Sequence, residues 1–92
     1  MSINKNSYFE VDSLIEGFIV GFSPEAHLAS IALEYSARTE RDAVRMEGQV
    51  REFAHQAPSD LVTEARLHAQ WKHEVADNYL TAAVQLEAMG YS

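Results

Sequence analysis

Ala57-Pro58-Ser59-Asp60 is the one strong break in a helical pattern that otherwise runs from Ser23 to Met89. Proline cannot continue a helix, whereas Ser or Asp after it can cap the next one. The break therefore predicts two long helices, over 24–57 and 60–89. Because so short a connection makes two helices antiparallel neighbours, we predict an all-α fold built on a long antiparallel helical hairpin.

Apolar residues follow both long helices in steps of three and four, which predicts one buried stripe on each. The stripe of the first helix is Leu28, Ala32, Tyr35, Thr39, Ala43, Met46, Val50, Phe53 and Ala57. The stripe of the second is Leu61, Ala65, His68, Lys72, Val75, Tyr79, Ala82, Leu86 and Met89. Gly90 follows directly and is expected to end that helix.

The N-terminal quarter of the chain predicts an arm over 1–12 and a short helix over 13–22. Ser13 and Glu16 have the spacing of a capping box, in which each side chain accepts from the other residue's backbone N–H. Ser23-Pro24-Glu25 has the residue types that favour the start of the following helix. At 92 residues, the chain is predicted to form a single helical domain, 1–92.

The composition restricts the classes of function. The net charge is −7, from 14 acidic against 7 basic residues, so we expect no direct binding of nucleic acid, which needs clusters of Lys and Arg. A basic protein partner would be attracted. No apolar run approaches the roughly 20 residues that span a membrane. The absence of cysteine and of a visible signal peptide favours a cytoplasmic location.

The end of the second helix carries more apolar surface than one seam can bury. Leu80, Ala83 and Val84 flank its stripe and need a cover. The 13–22 helix can provide that cover in its own chain or in a neighbouring copy, and the sequence leaves both arrangements open. We expect a homo-oligomer, in its simplest form a homodimer that completes a four-helix bundle.

Polar residues interrupt the middle of the predicted seam. Glu64, His68 and Lys72 are predicted to point inward from the second helix, opposite Asp42 and Gln49 on the first. One interpretation is a hydrogen-bonded polar layer that fixes register, in which Lys72 pairs with Asp42 or Glu64 and His68 with Gln49. The other is a metal site for iron, manganese or zinc with Glu64 and His68 as ligands, because bundle cores hold such ions with carboxylate and imidazole.

Candidate partner-binding residues lie at the seam edge and on the short helix. They are Trp71, Phe18, Phe22, Leu80 and Val84.

His73 is expected to point to solvent. The outer face of the first helix is predicted to carry ion pairs such as Glu34–Arg38 and Glu47–Arg51, because Glu four residues before Arg is a favourable order.

No nucleophile elbow and no glycine-rich phosphate loop occurs in the sequence, so we predict a non-enzymatic protein without a cofactor. Its predicted function is that of a small acidic protein–protein interaction module: an adaptor, an accessory subunit or an inhibitor. The alternatives are a phage-type acidic inhibitor of a nucleic-acid-binding protein and a metal-binding helical bundle. In shape the chain resembles small secreted helical hairpins, but it lacks their Trp-x-Gly turn, and we assign no family.

Overall fold

A computed structural model describes residues 9–23 and 26–91, and over these ranges it contains three helices and no strand. They are α1 (Val11–Gly21), α2 (Leu28–Phe53) and α3 (Ser59–Ala88). Helices α2 and α3 pack side by side as the predicted hairpin, and α1 lies against both, mainly against α3. The all-helical prediction is confirmed. Within the described ranges, none of the helices combines the length and apolar character that crossing a membrane requires.

The turn of the hairpin lies where the sequence predicts it, but α2 ends four residues early. The N–H groups of Gln56 and Ala57 both donate to the Phe53 carbonyl, at 3.0 and 3.1 Å, in a tight turn. Pro58 disfavours helical backbone at the residue before it, so the chain leaves the helix ahead of Ala57. Pro58 occupies the N-cap position of α3, and its carbonyl accepts from the Val62 N–H at 3.1 Å.

The starts of α1 and α2 differ from the predictions. Glu10, not Ser13, occupies the N-cap position of α1, so the predicted capping box is wrong. Helix α2 begins at Leu28, which places Ser23 too far away to cap it. The rest of that predicted motif, residues 24–25, lies outside the described residues.

The end of α3 confirms the prediction for Gly90 and joins the two long helices. Gly90 has φ +97°, a conformation that costs little only for glycine. Its N–H donates to the Glu87 carbonyl at 3.0 Å, and the Tyr91 N–H donates to the Leu86 carbonyl at 2.9 Å, which together form a Schellman motif. The Tyr91 carbonyl then accepts from the Ala29 N–H at 3.0 Å, so it satisfies a free donor in the first turn of α2.

The core is thickest at the open end of the hairpin, which is the end away from Pro58. There α1 inserts Leu14 and Phe18 between the long helices. The remaining buried members of this cluster are Leu28, Ala32, Ala82, Ala83 and Leu86. The short helix therefore packs in its own chain, which resolves one of the alternatives left by the sequence.

Towards the turn, the fully buried side chains between α2 and α3 are small. The buried side chains there are Ala43, Val50, Val62, Ala69, Val75 and Ala76. On α3, Val62, Ala69, Ala76 and Ala83 repeat every seven residues and form a narrow seam. The prediction that Leu61 and His68 lie inward is wrong, because the seam runs one residue later along this part of α3 and leaves both exposed.

Candidate functional site

The two long helices present two broad faces, and α1 covers only one of them. The Phe18 ring of α1 meets Tyr35 and Tyr79, with centroids 5.5 and 6.1 Å away. Leu33 lies about 200° around α2 from Tyr35, on the opposite side. We call this opposite side the open face. It comprises Leu33, Ala37, Glu40, Val44 and Glu47 of α2 and His73, Asp77, Leu80 and Val84 of α3.

The apolar part of the open face lies at the open end of the hairpin. Leu33, Leu80 and Val84 are 52%, 44% and 60% exposed and line one shallow groove of about 170 Å³. Ala29 and Ala83 form its floor, and Glu87 borders it. Two of the predicted partner-binding residues, Leu80 and Val84, are thus brought together on a surface that α1 does not cover.

The centre of the open face is a histidine held between two carboxylates. His73 of α3 reaches across the seam, with Nδ1 2.8 Å from Glu40 Oε1 and Nε2 3.0 Å from Glu47 Oε2. The hydrogen bond to Glu40 raises the pKa of His73; burial opposes this shift, and the hydrogen bond to Glu47 and both negative charges add to it. The prediction that His73 points to solvent holds only in part: its side chain is 30% exposed, but the position of the seam on α3 turns the ring towards α2.

The predicted polar layer exists only in part. Lys72 Nζ lies 3.7 Å from Asp42 Oδ2, one of the pairs expected from the sequence, and Asp42 also accepts from Arg45 at 2.7 Å. Gln49 and Glu64 are exposed and do not join it. Glu64 is missing from the layer because the seam on α3 turns this side chain outward.

The predicted metal-site residues lie on the surface. Glu64 and His68 are both exposed, and the His68 ring stacks on Trp71, with centroids 5.5 Å apart and the ring planes at 29°, rather than pairing with Gln49. Within residues 9–23 and 26–91, no group of three or more His, Cys, Asp or Glu side chains is arranged to hold a metal ion. The iron, manganese or zinc hypothesis therefore has no third protein ligand in the described residues.

The aromatic candidates belong to the side covered by α1. Phe18 is only 4% exposed and lies in the core, because α1 packs against its own hairpin. Phe22 is half-buried and stacks on Phe18 at 5.6 Å. Trp71 is half-buried and meets the Phe9 ring edge-on at 5.6 Å, while the Asn78 side chain donates to the Phe9 carbonyl at 2.8 Å. These contacts fasten Phe9, two residues before α1, to α3.

A second surface feature, the α1 groove, runs between α1 and the hairpin. Its volume is about 660 Å³, and its wall includes the rings of Phe9, Phe22 and Tyr79. Burial is the main cause of the raised pKa of Tyr79, and the neighbouring Tyr35 adds to it. Glu16 lies at the rim. The groove combines an aromatic wall with an acidic edge.

Sequence reasoning missed Leu33, Glu40 and His73 as surface residues that act together. The signal was present, because Leu33, Ala37, Glu40, Val44 and Glu47 repeat in steps of four and three. This second stripe was hidden by the stronger inward stripe beside it on the same helix.

Comparison with known proteins assigns this chain to no family. No family model, no curated protein and no solved structure matches it. A functional proposal for the protein therefore rests on the chemistry of its own surfaces.

Proposed function

We propose that the protein is a non-enzymatic interaction module that pairs with a second copy of itself through the open face. One observation carries this proposal: α1 covers only one face of the hairpin, and Leu33, Leu80 and Val84 remain exposed together on the other. Burying this apolar surface against another hairpin would stabilise a dimer by the hydrophobic effect. The dimer would have α2 and α3 of both copies as its four central helices.

The size of the open face suits a second copy. Helix α2 has 26 residues, so it is about 39 Å long. Two helices side by side are about 20 Å wide, which gives a face of roughly 800 Å². Each partner in a standard protein–protein interface buries about this area. A second hairpin has the same length and width and would cover the whole face through one self-complementary contact.

The pattern of the open face also favours a helical partner. Its residues alternate in steps of four and three on both helices, the spacing that lets side chains interdigitate in helical bundles. Leu33, Leu80 and Val84 supply the apolar positions. Glu40 and His73 place a polar pair in the middle, and such pairs in bundle seams set the alignment of the helices.

Substitution of Val84 by Glu tests this proposal. The added charge would lie in the apolar groove, so we expect Val84→Glu to convert a dimer into a monomer without loss of helix content. Leu67→Glu is the matched control, because Leu67 is 58% exposed on α3 but faces away from the seam. Size-exclusion chromatography with light scattering measures both, and circular dichroism checks the fold. Identical masses for the two variants would overturn the proposed interface.

A second candidate function is the capture of a basic protein segment in the α1 groove. The observation that favours it is charge: α1 and its N-cap carry Glu10, Asp12 and Glu16 but no basic residue, beside an aromatic wall. This arrangement fits an amphipathic helix with Lys or Arg on its polar side. A protein that binds such a helix could act as an acidic inhibitor of a basic partner.

Salt separates the two candidates. Attraction between opposite charges weakens as ions screen it, so capture of a basic segment should lose affinity steeply. Self-association of a chain of net charge −7 should instead tighten or stay unchanged. For capture, titration with a Lys-rich amphipathic peptide should respond to Glu16→Lys but not to Glu74→Lys, which reverses an exposed charge on α3 away from the groove.

A further inference from the structure

The contacts of His73 fit a doubly protonated ring. Nδ1 and Nε2 each lie within 3.0 Å of a carboxylate oxygen, from Glu40 and Glu47 respectively. A neutral imidazole has one N–H, so its other nitrogen would present a lone pair to a carboxylate that can only accept. The imidazolium donates from both nitrogens. This geometry thus describes the protonated state of His73, which ties α3 to α2 at two points about two helical turns apart on α2.

Glu47 has a second partner within reach on its own helix. Arg51 lies four residues further along α2, the order that favours an ion pair. Arg38 pairs with Glu34 at this spacing, at 2.6 Å, so α2 supports such a bridge. Arg51 has no carboxylate within ion-pair distance among the described residues, yet it lines the same pocket as Glu47 and His73.

We propose that protonation of His73 switches Glu47 between two partners: the His73 ring on the facing helix and the Arg51 guanidinium on its own helix. With His73 protonated, Glu47 bonds across the seam and clasps the hairpin at its middle. With His73 neutral, one ring nitrogen no longer donates, and Glu47 turns to Arg51. The contact of Glu47 across the seam is then lost from a part of the hairpin where the fully buried side chains are small.

The charged neighbours of His73 support this direction. On α2, Glu40 and Glu47 favour the imidazolium, while Arg51 opposes it from the same pocket. On α3, Arg66 also lines the pocket, and Asp77 lies one turn beyond His73 on the same face of the helix. Helix α1 packs on the other face of the hairpin. Two carboxylates in direct contact outweigh guanidinium groups that make no hydrogen bond to the ring.

The sign of the pH dependence follows from the raised pKa of His73 in the folded chain. The unfolded chain titrates this group near 6.5, the ordinary value for histidine. The contact between protonated His73 and Glu47 therefore contributes its full stability below pH 6.5. This stability is lost as the pH rises through the raised pKa of His73. All of the contacts of the switch lie within one chain, and its residues are in the middle of the face that the proposed dimer would bury.

Nuclear magnetic resonance of the full chain tests the switch directly. We expect His73 to titrate above 6.5, and we expect Glu47→Gln to lower its pKa. Across the same titration the Arg51 side-chain N–H resonance should shift in the wild type and stay constant in His73→Gln. A His73 pKa at or below 6.5 would overturn the proposal. A raised pKa of His73 with no shift of the Arg51 resonance would also overturn it, because Glu47 would then leave His73 without binding Arg51.

Thermal unfolding at pH 6.0 and pH 8.5 adds a second measurement. At pH 6.0 we expect His73→Gln to lower the unfolding temperature by about 2–6 °C, a scale typical of partly exposed ion pairs in a small domain. At pH 8.5 the loss should be smaller. His68→Gln is the control, because His68 is exposed on the same helix and stacks on Trp71 instead. An equal loss at both pH values would count against the switch.

Discussion

Replacing Phe18 by Ala tests whether α1 is held by its own hairpin. The ring is 4% exposed and meets Phe22, Tyr35 and Tyr79 at centroid distances of 5.6, 5.5 and 6.1 Å. Truncating a buried Phe to Ala costs about 3–5 kcal/mol. We expect about 3 kcal/mol, the lower end, because the α1 groove beside the ring lets neighbouring side chains relax into the space.

The loss is large against the total stability of the fold. A chain of 92 residues typically unfolds with about 5–14 kcal/mol, so about 3 kcal/mol removes a major fraction. Urea denaturation followed by circular dichroism gives the free energy of unfolding at one fixed protein concentration, because pairing would otherwise shift it. Val20→Ala is the control: Val20 is 79% exposed on the same helix, and its change should stay within about 0.5 kcal/mol.

A cost below about 1 kcal/mol for Phe18→Ala would refute the packing described for α1, since a buried aromatic ring cannot be removed so cheaply. Amide hydrogen exchange gives an independent check. Residues of α1 should lose protection in Phe18→Ala, whereas the middle of α2 should keep it. Loss of protection throughout the chain would show instead that α1 and α2 unfold as one unit.

Three further predictions concern the helix end, the seam and the metal hypothesis. Gly90→Ala should destabilise the fold by about 1–2 kcal/mol, because φ +97° is unfavourable for Ala; an unchanged unfolding temperature would argue against the Schellman motif. Ala43→Leu should cost about 1–3 kcal/mol in urea denaturation, because Ala43 is 0% exposed where α2 meets α3; a neutral result would contradict the close seam. Zinc, iron or manganese should leave the unfolding temperature unchanged, since Glu64 and His68 are exposed without a third ligand. A rise that His68→Ala abolishes would restore the metal hypothesis.

Features that depend on backbone chemistry were predictable from the sequence. Pro58 marks the hairpin turn because proline ends helices, and Gly90 ends α3 because its φ is accessible mainly to glycine. The inward stripe of α2 was visible because its residues repeat in steps of three and four over many turns. These signals are local, so a single sequence carries them.

Which face of α3 packs against α2 was harder to predict, because alanine carries little hydrophobic signal. Val62 and Ala69 form the seam, yet the larger Leu61 and the neighbouring His68 fit an equally regular series. Close approach of two helices favours the smaller residues, a preference that becomes apparent only when both helices are considered together. Because the seam on α3 lies one residue later than predicted, the His73 ring faces α2, and its bonds to α2 were therefore not predicted.

The start of α2 shows a second limit of local reasoning. Ser23 and the residues after it have favourable capping chemistry, but the helix begins at Leu28, where the Ala29 N–H meets the Tyr91 carbonyl from the far end of the chain. A partner so distant in sequence leaves no local trace. Among the predicted surface residues, Leu80 and Val84 were identifiable because the end of α3 has more apolar surface than one seam can bury.

Light scattering of the wild-type chain in solution tests the central claim, that the open face pairs two copies. At about 100 µM, well above the dissociation constants typical of stable dimers, we expect a mass of twice the 10.3 kDa chain. For Val84→Glu we expect the mass of a single chain. A wild-type mass of 10.3 kDa at that concentration would contradict the claim.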